Sequence, residues 1–250
     1  MAPVVVTPHD RPRPQRRQVL VDGVYDTLVT FLMSGTLAPG DRFGIDSLSR
    51  DLEVSPTPIR EALARIEATG LVVREPLRGY RVAPRLAPGD FRRLMEARLL
   101  IEPHTAAAAC VNRSQELLDE LSDAMAQMRA APTGPSYHEF RSFLKADADF
   151  HQIVATYSGN YFLAEALDRL GAHLHRFRLF TGTGVTDAVA AISEHDAIFA
   201  AIAQGYVGQA RKAMRHHIQG VLDRSLREQQ PSASAVGRRK PPVAAAERRS

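Results

Sequence analysis

The chain has 250 residues, 44% of them hydrophobic, and a formal net charge of +4 at neutral pH. That is enough apolar content for one or two buried cores. The single cysteine, Cys110, excludes an internal disulfide framework, and no apolar run reaches the length of a membrane span.

The charge is concentrated at the ends. Residues 1–17 carry +3, from four arginines against Asp10, and residues 231–250 carry +4, which leaves −3 for everything between. Both ends read as disordered basic tails, so the overall charge is no proof of nucleic-acid binding. The apolar run at the N-terminus is too short, and its charges follow rather than precede it. It does not read as a signal peptide, and a cytoplasmic protein without membrane contact is expected.

A first helix is predicted from about Arg17 to Ser34, with Val21, Val24, Leu28, Phe31 and Leu32 as its apolar stripe and Gly35 at its end. Two short helical patterns then meet at a tight connection. In the first, Leu48 and Leu52 lie four apart and Asp46 is placed to cap the start. In the second, Ile59, Leu63 and Ile66 repeat at helical spacing. Pro56 and Pro58 fall at its opening, where a missing N–H costs nothing, and Gly70 stops it. Leu71 to Val73 and Tyr80 to Val82 read as two strands around a turn at Pro76–Gly79, with Arg74, Arg78 and Arg81 on or beside it. A helix-turn-helix followed by a basic hairpin is a winged helix, whose second helix enters the major groove.

At this point the chain resembles a family. SPTPIREALARIEATGLV, followed by RGYRV and preceded by LMSGTLAPGDRF (Leu32–Phe43), is similar to the N-terminal domain of GntR bacterial transcription regulators over residues 18–84. The resemblance implies that Ser55 and Thr57 hold phosphate and that Arg60 reaches a guanine edge, for which a guanidinium has the right paired donors. Arg65 in the same helix and Arg78 in the turn complete the expected DNA-binding set. The alternative is that Arg60 only pairs with Glu61 or Glu67 on a solvated face. Pro56 stands where the family often has Arg, and Asp46 where some members have Arg. The operator of a relative therefore does not transfer to this chain.

Residues 85–89 read as a linker, and from Asp90 to about 230 the pattern is helical throughout. Six helices are expected. The first runs to about Cys110, with Phe91, Leu94, Met95, Arg98, Ile101 and Glu102 on one face. A second carries Leu117, Leu118, Leu121, Met125 and Met128, and a break follows at Pro132, Gly134 and Pro135. The third spans about Tyr137–Tyr157. The fourth runs Tyr161–Phe180, with Leu163, Leu167, Leu170, Leu174 and Phe177 inward. After a Thr181–Gly184 loop come helices over about Asp187–Gln204 and Val207–Gln229. The fold class is mostly α: an N-terminal winged helix-turn-helix and a C-terminal antiparallel all-α bundle.

Four polar residues sit on stripes that should be apolar. Asp147 and His151 share a face with Phe143, Phe150 and Val154. His195 lies among Ile192, Phe199 and Ile202, and His217 among Ala210, Met214 and Val221. Buried and unpaired, these groups would be costly, whereas one divalent cation satisfies all four. Three nitrogens and an oxygen suit zinc first, with nickel, manganese or iron as alternatives. His216 and Asp149 point away from the inward stripes. His173 lies near one and is a candidate for the core or for a place behind the ligands.

The second half is similar to the FCD ligand-binding domain of the FadR subgroup, carried by EARLLIEP (Glu96–Pro103), DADFHQIVATYSGN (Asp147–Asn160), EHDAIFAAIAQG (Glu194–Gly205) and AMRHHI (Ala213–Ile218). By that resemblance Asp147, His151, His195 and His217 are the metal set, the effector is a small organic acid, and the protein is a homodimer on double-stranded operator DNA. Arg98 is an inward charge that either pairs with Glu102 or helps bind the effector carboxylate. The expected function is effector-controlled transcription, with a repressor as the leading form. The rivals are a metal-dependent hydrolase-like enzyme and a regulator whose metal is purely structural.

Overall fold

A computed structural model describes residues 14–84, 86–134, 137–178 and 185–228. Among them are nine helices and one three-stranded antiparallel sheet. The predicted tails and the Thr181–Gly184 loop fall outside these residues, except that Pro14–Arg17 are helical. Pro135, Phe180 and the side chain of Phe177 lie outside the description as well.

Helix α1 (Pro14–Ser34) starts three residues before its predicted position. Val21, Val24, Leu28 and Leu32 are buried as the spacing requires, along with Val29 and Met33, while Phe31 is half-buried. After β1 (Arg42–Phe43) comes α2 (Ile45–Asp51), whose cap is Gly44 rather than Asp46. The Ser47 hydroxyl accepts the Gly44 N–H at 3.3 Å, so the capping role predicted for Asp46 is already filled. Asp46 sits exposed in the first turn, where its charge still suits the positive end of the helix. Helix α3 (Pro56–Ala68) buries Ile59, Leu63 and Ile66 completely. It ends through Thr69 into Gly70, at a left-handed φ of 71°.

Strands β2 (Val72–Glu75) and β3 (Gly79–Val82) form the wing. The sheet order is β1-β3-β2, with Phe43 opposite Tyr80 and Val72 opposite Val82. The sequence gives no sign of β1, because two residues cannot display an alternation. Gly79 explains the tightness of the turn: its φ is 84°, and a Cβ there would meet the Phe43 carbonyl oxygen at 2.5 Å.

The C-terminal part consists of α4 (Pro88–Val111), α5 (Gln115–Ala130), α6 (Tyr137–Thr156), α7 (Tyr161–Arg178), α8 (Ala188–Gln204) and α9 (Val207–Glu228). Pro88 and Gly89, expected in the linker, make the first turn of α4, where proline is well tolerated. Helix α4 touches α6, α7, α8 and α9, most extensively α9, and is the axis of the bundle. Ser114 caps α5 through the Leu117 N–H, and Asn160 accepts N–H bonds from Phe162 and Leu163 at the start of α7. His173, a core candidate by sequence, is exposed on α7. The two parts adjoin: α1 packs on α3 and also reaches α6, where Arg141 and Asp26 pair at 3.4 Å. One apolar cluster runs unbroken from α1 to α9.

Candidate functional site

Three helices bring Asp147, His151, His195 and His217 together, with one ligand atom from each within 4.8 Å of the others. All three imidazoles are buried, and Asp147 is nearly so. The His195 and His217 ring centres are 4.3 Å apart, and His151 lies 5.2 Å from His195 and 5.1 Å from His217. Helical spacing accounts for the α6 pair, since residues four apart project side by side. The packing of α8 and α9 supplies the rest.

Each histidine is oriented from behind. His195 Nδ1 lies 2.7 Å from the Ala191 carbonyl, which can only accept, so the proton resides on Nδ1. His217 Nδ1 donates to Glu194 Oε2 at 2.8 Å. His151 Nδ1 is 2.5 Å from Glu102 Oε2, close enough to donate although the approach is off the ideal direction. With Nδ1 directed outward in all three, the Nε2 side faces the common centre. The Nε2 atoms of His151 and His195 are buried with no hydrogen-bond partner among the described residues. Orphaned nitrogens of this kind are costly in an apolar interior and are what a cation would satisfy. The group can hold a metal ion.

The outer carboxylates are themselves held. Burial alone would raise the Glu102 carboxyl, but Arg98 and His151 outweigh it and keep it down at about 2. Burial opposes ionisation of Glu194 too, and His217 with Arg224 hold it at about 2. Arg224 grips Glu194 at 2.6 and 2.9 Å and Asp187 at 2.8 Å. Burial, reinforced by the neighbouring His217, pushes His195 down to about 3. At neutral pH the centre therefore presents a neutral imidazole at His195, the form that binds metal.

Sequence reasoning placed Glu102 only as a partner of Arg98. The structure confirms that contact and adds the one to His151. Glu194 and Arg224 were missed. The signal for Glu102 was its inward position on the first bundle helix; for Glu194 and Arg224 there was none, because their partners lie on other helices.

Beside Asp147 and His151 is a cavity of about 550 Å³, whose wall takes Arg98, Asp149, Asp168 and Arg169 from the bundle and Ala68, Thr69 and Leu71 from the reading head. Arg98 is thus both paired to Glu102 and on the cavity wall.

In the N-terminal part, Ser55 and Thr57 are exposed at the start of α3, and the Ser55 hydroxyl makes no cap bond there. Arg60 is exposed, and among the described residues no ion pair engages it. It faces a groove shared with Arg74, Glu75 and Leu77 of the wing. Arg78 is exposed at the wing turn. Arg65 departs from this group: it pairs with Asp22 at 2.6 Å and covers the Tyr25 ring at 4.5 Å, facing α1. Arg81 is also engaged, by Glu75 at 2.7 Å.

A winged helix joined to a helical domain with a buried three-histidine, one-aspartate group defines a class of sensory DNA-binding proteins, and the comparisons agree. Residues 20–82 match the model of the bacterial regulatory proteins, gntR family, and residues 93–220 match the FCD domain. The chain belongs to the GntR family of transcriptional regulators, in the group that carries an FCD domain. It is 26% identical over 215 residues to the HTH-type transcriptional regulator LutR of Bacillus subtilis, covering 77% of this chain and 94% of that protein. It is 23% identical over 208 residues to the HTH-type transcriptional repressor RspR of Escherichia coli, covering 82% and 90%. Among solved structures, Escherichia coli McbR/YncC superposes with a TM-score of 0.65 at 19% identity, over 84% of this chain and 98% of that one. Lar, which controls the expression of the Listeria monocytogenes agr system, gives 0.57 at 19%, over 83% and 97%.

This membership makes the protein a regulator of transcription, not an enzyme, that binds DNA and a small-molecule effector. No described helix is long and apolar enough to cross a membrane.

Proposed function

We propose that the protein is a cytoplasmic, homodimeric repressor whose grip on operator DNA depends on a small organic acid at a metal centre in its helical domain. The observation carrying this reading is the convergence of Asp147, His151, His195 and His217 within 4.8 Å, with buried Nε2 atoms on two of the histidines that make no hydrogen bond among the described residues. A three-nitrogen, one-oxygen donor set favours zinc, with nickel, manganese or iron as alternatives. A divalent cation there supplies positive charge and open coordination positions for a carboxylate. Arg98, on the cavity wall beside Asp147, adds a second positive group for the same anion.

At the other end of the molecule, Ser55 and Thr57 take phosphate at the positive end of α3, Arg60 reaches a guanine edge, and Arg78 touches the backbone from the wing. Arg65 is withdrawn from this set because Asp22 and Tyr25 hold it against α1. Two heads are needed because paired half-sites call for paired recognition helices. The acid controls DNA binding only through its differential affinity for the gripping and released arrangements.

A thermal-shift screen of organic acids on metal-analysed protein, followed by operator binding with and without the best acid, tests the proposal. The expected result is an acid that raises the melting temperature only in metal-loaded protein and changes affinity for DNA upstream of its own or adjacent genes. No preference for any such fragment over random DNA at modest salt would defeat the repressor reading. A bundle that unfolds on chelation and ignores every acid would leave the metal purely structural.

A further inference from the structure

The tip of the wing holds a residue that the fold does not explain. Between β2 and β3 the chain turns through Glu75–Arg78, closed by the Arg78 N–H donating to the Glu75 carbonyl at 3.0 Å. Pro76 takes the second place in that turn, and the third then calls for a positive φ, which glycine or asparagine supplies most readily. Leu77 stands there instead, at a φ of 62°. Its Cβ crowds the backbone in that region, so the position is strained. Burial recovers nothing, because Leu77 is fully exposed. An exposed leucine alone means little, but one that is also strained calls for a partner outside the chain. The turn is firmly based: Glu75 pairs with Arg42 at 2.9 Å and with Arg81 at 2.7 Å, tying all three strands together.

We infer that Leu77 is an apolar wedge that opens a base step from the minor groove, beside the bases read by α3. Exposed Arg74 and Arg78 flank it, and no ion pair among the described residues takes up either. The negative potential of a narrow minor groove attracts such arginines, and leucine is among the side chains that part a base step there and kink the duplex. Leu77 also lines, with Arg60 and Arg74, a groove of about 320 Å³ between α3 and the wing. With Arg60 in the major groove and Leu77 in the minor, that groove receives the sugar–phosphate strand that separates the two. Pyrimidine–purine steps unstack most easily, so the wedge adds a preference for TA or CA/TG where no side chain hydrogen-bonds a base. This rests on the DNA binding that goes with the family and on the placing of Arg60 proposed above, and not on the metal centre.

Selection from a random-sequence DNA pool by the intact chain and by Leu77→Gly tests this, followed by circular-permutation gel mobility on the fragment that the wild-type chain enriches. The wild-type chain should enrich a pyrimidine–purine step beside the bases read by α3 and should bend the fragment. Leu77→Gly should keep the α3-read bases and lose both the step and the bend. It should bind the wild-type fragment roughly ten-fold or more weakly, the effect of about one misread base pair. Its melting temperature should hold or rise, because glycine relieves the strain, and this separates a lost contact from a damaged fold. Leu77→Met should retain the step and the bend, since methionine serves equally as a wedge. An unchanged sequence and bend in Leu77→Gly, or their loss in Leu77→Met as well, would overturn the inference and leave Arg60 and the metal-centred reading standing. If the wild-type chain enriches no sequence at all, the repressor reading falls with it.

Discussion

The reading head and the helical bundle treat their polar side chains in opposite ways. In the head, Ser55, Thr57, Arg60 and Arg78 face water, and no ion pair among the described residues takes up Arg60. In the bundle, Arg98, Glu102, His151, His195 and His217 are buried, and each is set by a neighbour. A surface that reads nucleic acid keeps its donors available until a phosphate or base arrives. A buried centre cannot leave charge unpaired, so it needs a ring of carboxylates and an arginine simply to exist. Substitutions should therefore act on binding in the head and on stability and metal affinity in the bundle.

The largest effect is expected from Glu102→Ala, which leaves the Arg98 guanidinium and His151 buried without their shared carboxylate. Loss of one partner of a buried pair costs about 3–5 kcal/mol, read as a lower urea midpoint. A loss below about 1 kcal/mol would mean the pair is solvated, and the contrast with the head would disappear.

Acid should act in the same direction more gently. His195 is held at about 3 against an ordinary 6.5, so the unfolded chain takes up the proton first as pH falls. The stability this contributes is fully present above 6.5 and is lost on descending towards about 3. Glu102, at about 2 against 4.5, adds a loss of the same sign at lower pH. Melting curves of metal-free protein between neutral pH and pH 4 should fall steadily. A flat profile would show that His195 is open to water.

Glu194→Ala removes the acceptor behind His217 and leaves Arg224 with Asp187 alone. Metal affinity, followed by competition with a chelating dye, should drop roughly 10- to 100-fold, as it does when the group orienting a metal-binding histidine is lost. For the head, Arg60→Ala should cost about 1–3 kcal/mol of specific operator affinity with no change in melting temperature. If it instead weakens all DNA equally, Arg60 is a phosphate contact. The smallest effect belongs to Arg65→Ala. Its exposed pair with Asp22 is worth at most about 1 kcal/mol of stability, and operator affinity should hold. A large loss of DNA binding would return Arg65 to the recognition surface.

The helices and the four ligands were legible because both depend on the 3.6-residue period. Phe143, Asp147, Phe150, His151 and Val154 declare one face of α6 without any knowledge of what packs on it. The capping role assigned to Asp46 failed because the Ser47 hydroxyl, one residue further on, serves Gly44. His173 failed because the turn of α7 that carries it leaves its side chain exposed, although Leu170 and Leu174 on either side are half-buried. Glu194 could not be paired with His217, nor Arg65 with Asp22, because each pair joins elements 23 and 43 residues apart. Two residues of β1 left no trace of their pairing with β3.

The sequence by itself determined where helices run, which of their faces turn inward, and that four metal-competent side chains lie on those faces. These follow from local backbone geometry, which every residue shares with its near neighbours. Only the tertiary structure decided that the four ligands meet, which carboxylates stand behind them, and that the cavity beside Asp147 and His151 reaches the foot of the recognition helix. Those are distances between elements remote in the chain, and they are fixed by how the helices pack rather than by the pattern on any one of them.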